Sequence, residues 1–264
     1  MAEDRDVPVD AMLKSRLLSR VPNVRHGFST RSGGVSEGAY ASLNLGRNVG
    51  DDPERVAVNR ARFLRSLGEG SGLGLAEADQ VHGVDLVRVD APGHQAVPAD
   101  ALSTTASAVA VAVRTADCAP VLMARVIEDR AVEVTAVHAG WRGAVSGIVT
   151  SAVRTVSGGD PSTLRIAIGP AIGPAAFEVG EEVIEAARAA LGGRAPPHHR
   201  GPEGRARLDL RQLLVMQLAG AGIRPEHVEL VGGCTFSDDL SYFSHRRDRG
   251  LTGRHLSAIA IVPG

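Results

Sequence analysis

Aromatic side chains make up only 3% of this 264-residue chain. That scarcity argues against the stacking surfaces on which single-stranded nucleic acids are held. Cysteine is nearly absent too: Cys118 and Cys234 are the only two, too few for a disulfide framework, and a reducing, cytoplasmic setting is expected. No apolar run approaches the roughly 18 residues that span a membrane. The start, Met1 to Asp6, is charged and has no apolar core of a signal peptide. Lys14 is the one lysine, and arginine carries almost all the positive charge; a GC-rich coding bias explains this more simply than selection for arginine chemistry, and no function follows from it. A net charge of −1 calls for neither a polyanionic partner nor a solvating acidic tail.

What remains is ordinary globular material, with 44% hydrophobic and 22% charged residues, enough to bury a sizeable core. Residues 1–20 give a poorly determined beginning, and 21–264 read as one domain. Residues 26–50, rich in Gly, Ser and Asn, suggest an ordered irregular loop. Asp51-Asp52-Pro53-Glu54 has the acid and proline of a helix start, and Val56, Phe63, Leu64 and Leu67 supply its apolar face. Residues 68–74 are a flexible break. β-Branched runs predict strands at Val84–Val89, Ala108–Val113, Val121–Val126, Val132–Val137, Leu164–Ile168 and 256–262. Helices are expected at 143–157, 179–191 and 209–221, with a mobile loop over 192–204. The fold class is α/β (α+β): a single domain with a mixed sheet and flanking helices.

Three segments put a metal-capable side chain at the edge of a strand: QVHG with His82, TADC with Cys118, and HAGWRG with His138. Two imidazoles and a thiolate suit Zn²⁺, and three protein ligands leave a fourth position open, the pattern of a catalytic site. The spacing matches no short zinc motif; satisfied polar histidines and a small buried cysteine are the plainer reading. Asp117 can orient a ligand, act as a base or simply cap. Arg142, in a turn leading into a helix, can hold an anion beside the helix N-terminus or form a structural ion pair. Arg31, on a glycine-bearing loop, has similar standing, and Trp141 is a candidate pocket wall. Cys234 reads as packing, His198 and His199 as solvated loop residues, and Glu178 as a helix-start acid or a supporting residue. Gly34-Val-Ser36-Glu-Gly38 matches G-x-S-x-G but lacks the strand, elbow and helix around it.

The strings QVHG, TADC-x-PV, HAGWRG, IGPAIGP-x-x-FEVG and SHRRD-x-G-x-TGRH occur in order from His26 onward. In them the chain resembles the YfiH/laccase-domain family, also called multicopper polyphenol oxidoreductase or purine nucleoside phosphorylase. The resemblance implies a fold like that of the cytotoxic necrotizing factor hydrolase domain, with metal ligands at His82, Cys118 and His138. It departs at Ala175-Ala176-Phe177, where relatives often carry Cys-Cys-Tyr, so those two thiols are not required.

The activity implied is phosphorolysis of adenosine, inosine or methylthioadenosine with deamination of adenosine on the side, a nucleoside and phosphate being the only partners. Zn²⁺ is the implied cofactor, replaceable by Cu²⁺, and Cys118, His138 and Asp117 are the catalytic candidates. Arg31, Arg142 and Trp141 are the candidates for phosphate and substrate. A true multicopper oxidase is disfavoured, because nine histidines with no H-x-H pair cannot assemble its centres. A Cys118–His138 amide hydrolase editing cell-wall precursors is the alternative enzyme. A structural metal module is the non-enzymatic one, which an open fourth position argues against.

Overall fold

The computed structural model describes residues 12–68, 70, 72–201 and 205–263. Its strands fall into three sheets. The first has the order β1 (Met12–Leu13), β2 (Val24–Ser29), β15 (His255–Ile261), β7 (Val109–Thr115), β3 (Gly74–Asp79), β5 (Gly93–Pro98). The second runs β14 (Val228–Leu230), β10 (Leu164–Ile168), β8 (Ala119–Ile127), β9 (Arg130–Ala139), β6 (Ala101–Thr104), β4 (Leu86–Arg88). A small third sheet joins β11 (Glu178–Val179), β13 (Ala206–Leu208) and β12 (His198–Arg200). The two large sheets are mixed: β3 is parallel to both its neighbours, β7 and β5, whereas β8 and β9 form an antiparallel hairpin. A single domain with mixed sheets and few helices is therefore what the sequence pattern specifies, although it divides into more sheets than the one expected.

The layering follows from side-chain alternation along each strand. On β7, Val109, Val111 and Val113 face a core shared with Leu122 of β8 and Val134 of β9, so the two large sheets pack face to face. The intervening Ala110 and Ala112 face the other way, onto Phe63 and Leu67, which belong to α2 (Pro53–Gly68). On β8, Val121 and Met123 point away from the sandwich toward the helices α3 (Trp141–Val145), α4 (Ile148–Val156), α5 (Glu181–Ala190) and α6 (Leu210–Gly220). The order of layers is thus helix, sheet, sheet, helices.

Several elements differ from expectation for local reasons. The helix expected over 143–157 is two, because Gly147 takes φ +87°, a left-handed conformation that interrupts the helix and that glycine adopts without a Cβ penalty. The strand expected at Val84–Val89 shortens to β4 at the sheet edge. β3, GLAEAD, escapes the sequence pattern because half of its residues are Ala or Gly rather than β-branched. Part of the loop expected at 26–50 is strand β2, up to Ser29. Part of the loop expected at 192–204 is β12, whose His198 and His199 are exposed; residues 202–204 lie outside the described residues. Ser15 caps the short helix α1 (Arg16–Ser19), whose Leu18 is fully buried. Residues 1–11, and 69 and 71 within the 68–74 break, lie outside the described residues.

Residues 30–50 have no sheet to satisfy their backbone, and Asn59 of α2 does so instead. Its Oδ1 accepts from Val35 N at 2.8 Å, and its Nδ2 donates to Ser36 Oγ, Ser42 O and Asn44 O at 2.9, 3.2 and 2.9 Å. Asn59 is completely buried, so its loss removes a partner from each of these groups, the Val35 amide and the Asn44 carbonyl among them. Asn59→Leu should destabilise the protein by about 2–4 kcal/mol, since several buried polar groups lose a partner together. Chemical denaturation measures this, and limited proteolysis should show early cleavage within 33–50.

Candidate active site

The site lies at one end of the sandwich, where the hairpin of β8 and β9 and the loop after β3 converge. Cys118 immediately precedes β8 and His138 is one residue from the end of β9; the pairing Ala119↔Ala139 keeps them adjacent. His82 arrives from the loop between β3 and β4. Its Nε2 is 3.8 Å from the Cys118 sulfur, and its ring meets His138 edge to face at 4.8 Å. The ligand atoms of the three residues all lie within 4.8 Å of one another. Gly140 makes this approach possible: a Cβ there would sit 2.7 Å from His82 Cδ2 and 3.0 Å from Cys118 Sγ.

The residue that holds this arrangement, Asp100, carries no motif. It is wholly buried between β5 and β6. Its Oδ1 faces His138 Nδ1 at 2.6 Å and accepts from His82 N at 3.0 Å. Its Oδ2 accepts from Val81 N at 3.1 Å and Gly83 N at 2.7 Å. Its backbone carbonyl accepts from His138 N at 2.7 Å. Three successive amides thus wrap one carboxylate, which holds His82 at φ +61°, a conformation that costs energy outside glycine. With its Nδ1 proton held by Asp100, His138 turns Nε2 toward the site, the arrangement that supports a metal-binding imidazole. A thiolate and two imidazoles so placed fit a borderline-soft divalent ion.

Electrostatics follow from this packing. Burial works to raise the Asp100 carboxyl, but hydrogen bonds from His138, Gly83 and Val81 outweigh it and hold the group below its ordinary value. Burial likewise opposes ionisation of both Cys118 and His138, and their mutual attraction overrides it. The Cys118 thiol is lowered to about 6, chiefly by His138 and then His82. His138, facing Cys118 and Asp100, is raised to about 9. Without metal, a thiolate–imidazolium pair therefore exists between these values. Its stabilisation is lost as pH falls through about 6 for the depressed cysteine and as pH rises through about 9 for the elevated histidine.

The three groups open into a cavity of about 420 Å³, also lined by Arg47, Arg114, Asp117, Phe177, Arg246 and Arg254. Asp117 is in the cavity as expected, but both its oxygens are engaged: Oδ1 accepts from Thr235 Oγ1 at 2.6 Å, Oδ2 from Arg246 N at 2.7 Å. It ties the cavity-forming segments together. The other three expected residues are elsewhere. Arg31 donates to Ala41 O and Asp239 O and stacks over Phe243 at 4.7 Å. Arg142 is exposed over the Trp141 ring at 4.5 Å, and Trp141 packs against the helical core; none of the three lines the cavity. The turn chemistry around 140–143 that suggested an anion instead serves close approach at Gly140. Cys234 accepts from Gly173 N and Ser237 Oγ, and Glu178 pairs with Arg207 at 3.3 Å. Arg246 and Arg254 were signalled by the string SHRRD-x-G-x-TGRH; Arg47, Arg114 and Asp100 had no such signal.

In metal-free protein, alkylation of Cys118 should titrate with a midpoint near the value of about 6 given by its surroundings, well below an ordinary thiol. Asp100→Asn removes the charge that favours the His138 imidazolium, so alkylation at pH 6 should slow about tenfold. Iodoacetamide kinetics against pH, with mass-spectrometric assignment to Cys118, check both; an unshifted profile in Asp100→Asn would disprove the coupling.

Residues 25–262 match the family model described as multi-copper polyphenol oxidoreductase laccase. The chain is 41% identical over 248 residues to a purine nucleoside phosphorylase of Deinococcus radiodurans, with 92% of each covered. It is 38% identical over 237 residues to the purine nucleoside phosphorylase YfiH of Escherichia coli, covering 89% of this chain and 92% of that one. Among solved structures, YlmD from Geobacillus stearothermophilus superposes with a TM-score of 0.82 at 33% identity, over 92% of this chain and 94% of the other. The protein YfiH of Bacillus licheniformis also gives 0.82, at 30% identity over 96% and 98%. A match along nearly the whole length, in sequence and in fold, means that the chain belongs to the multi-copper polyphenol oxidoreductase laccase family.

Proposed function

We propose that this protein is a zinc-dependent purine nucleoside phosphorylase of the cytoplasm, acting on adenosine, inosine and methylthioadenosine, with deamination of adenosine as a side reaction. The observation that carries the reading is the juxtaposition, in one cavity, of the His82–Cys118–His138 group with several arginines and an aromatic face. Relatives named purine nucleoside phosphorylase at 38–41% identity support it. In phosphorolysis a phosphate oxygen bonds to C1′ of the ribose as the C1′–N bond to the purine breaks, and the departing base takes the bonding electrons. The cavity arginines supply donors for the phosphate charge. Phe177, with the Arg246 guanidinium 5.5 Å above it, offers a flat apolar face under a cation, suited to a purine. His82, Cys118 and His138 would hold the zinc ion, and such an ion supplies Lewis acidity and activation of water for the deamination. Asp100 keeps the His138 Nδ1 proton in place throughout.

One observation favours a second reading. Cys118, His138 and Asp100 stand in the order of nucleophile, base and orienting carboxylate, with the thiol held low and the imidazole high. Without metal, that set suits hydrolysis of an amide, such as one in a cell-wall precursor. Phenol oxidation, which the family name suggests, ranks lower. Among the described residues His82, Cys118 and His138 are the one such ligand group, and copper that displaces zinc there should give only weak oxidation.

Adenosine should yield adenine and ribose 1-phosphate only when phosphate is supplied, whereas inosine should form with or without it. Arg142→Ala should leave both rates within a few-fold, since that side chain is exposed and does not line the cavity. Chromatographic product ratios test this; release of no base from any nucleoside moves the amide-hydrolase reading to first place.

Protein purified without added metal should contain about one zinc per chain, and Cys118→Ala, His82→Ala and His138→Ala should each lower that content while the fold persists. Elemental analysis with circular dichroism measures it. Full occupancy in Cys118→Ala would remove the thiolate from the ligand set.

A further inference from the structure

The cavity arginines divide into two groups by what their side chains touch. Arg246 turns toward Phe177 and donates to Glu178 O at 3.3 Å. Arg47, Arg114 and Arg254 belong to a different wall, built from three separate parts of the chain. Arg254 directly precedes β15, and its stem lies on Gly46, where a Cβ would sit 2.8 Å from Arg254 Cγ. Leu45 N donates to Arg254 O at 3.0 Å, and Arg254 N to Asn44 Oδ1 at 2.8 Å, so this arginine is fastened to the segment that carries Arg47. Arg114 stands on β7, next to β15 in the sheet, opposite Leu256.

These three cations have few ion-pair partners among the described residues, and Asp117 and Cys118, which attract Arg254, are already engaged by Thr235, the Arg246 amide and His138. Among the described residues the Arg254 guanidinium donates to the backbone carbonyls of Thr252 and Gly253, and Arg47 is exposed and has no hydrogen bond or ion pair. Arg114 faces one carboxylate, Glu77, at 3.7 Å, but Glu77 is already paired with the buried Arg60. One negative group is thus shared by two guanidiniums. Arg114 and Arg254 repel one another, and a doubly charged oxyanion placed among the three arginines that line this wall relieves such repulsion.

We infer that Arg47, Arg114 and Arg254 form the phosphate subsite, and that Glu77 is its positioning residue. This rests on the phosphorolysis reading for its role but on the arrangement of charge for its existence. Glu77 touches neither the cavity nor any reacting atom; its carboxylate anchors the wall from behind. Through Arg60, whose Nη1 also donates to Leu45 O at 2.8 Å, it fixes the segment leading to Arg47. Directly, it aims Arg114, whose Nη2 is tied to Ala78 O at 3.1 Å. A single buried charge therefore sets the spacing of two arms of the subsite, while the stem of Arg254 on Gly46 sets the third.

The test is titration of the purified full-length protein with inorganic phosphate by isothermal calorimetry, followed by KM for phosphate and for nucleoside. Arg47→Ala and Arg254→Ala should each weaken phosphate binding about tenfold, the loss of one charge-assisted contact. Arg142→Ala should leave it within about twofold. Glu77→Gln should raise KM for phosphate about tenfold with kcat and KM for nucleoside nearly unchanged, a split that mere loss of folded protein does not produce. If Glu77→Gln does not fold, the exposed Arg47 still decides the matter. Unchanged phosphate affinity in both Arg47→Ala and Arg254→Ala, or equal loss in Arg142→Ala, overturns the subsite. Phosphate binding that follows this pattern without release of any base upholds the subsite and rejects phosphorolysis.

Discussion

One buried carboxylate organises the reactive end of this protein. Asp100 is shielded from bulk solvent, and three amides and an imidazole converge on it and favour its charged form. Those same bonds give the 81–83 loop its shape and His138 its orientation, so ligand geometry and carboxylate stability are one interaction seen from two sides. Removal of a partner from such a cluster costs far more than the net contribution of any single bond, because the remaining groups are stranded in a low-dielectric interior.

The sheet sandwich gives that cluster something rigid to stand on. Cys118 and His138 flank a long antiparallel hairpin buried on both faces, one face against the other sheet and one against helices. A shift of register by one residue would turn Val121 and Met123 out of one core and into another. The core therefore enforces the spacing of the two side chains, while Asp100 orients the His138 ring and places His82 on its loop.

Charge is distributed with the same economy. Near the thiol, attraction between Cys118 and His138 overrides burial. Further along the cavity arginines line the wall, and behind it Arg114 and the buried Arg60 share the Glu77 carboxylate. The cavity thus sets several arginines beside the His82–Cys118–His138 group without a surplus of charge over the whole chain.

The sequence by itself determined the strands of high β-propensity, the helices α2, α5 and α6 to within a turn, and the three ligand-bearing strings. Each of these is written in local terms: alternation along β7 and β8, the acid and proline before α2, a His or Cys at a strand edge. It did not determine β3, whose alanines and glycine carry no strand signal, nor the break at Gly147, which is a matter of one φ angle. Asp100, Arg47, Arg114 and Glu77 were likewise decided only by tertiary structure. A lone Asp before a short strand is ordinary, and nothing local shows that 18 residues earlier a loop, and 38 later a strand end, will meet it. Arg31 and Arg142 had the local look of anion binders, but hydrogen bonds to carbonyls claimed the first, and exposure over Trp141 the second. Residue type states which chemistry is available; burial and the neighbours that folding supplies decide which groups use it.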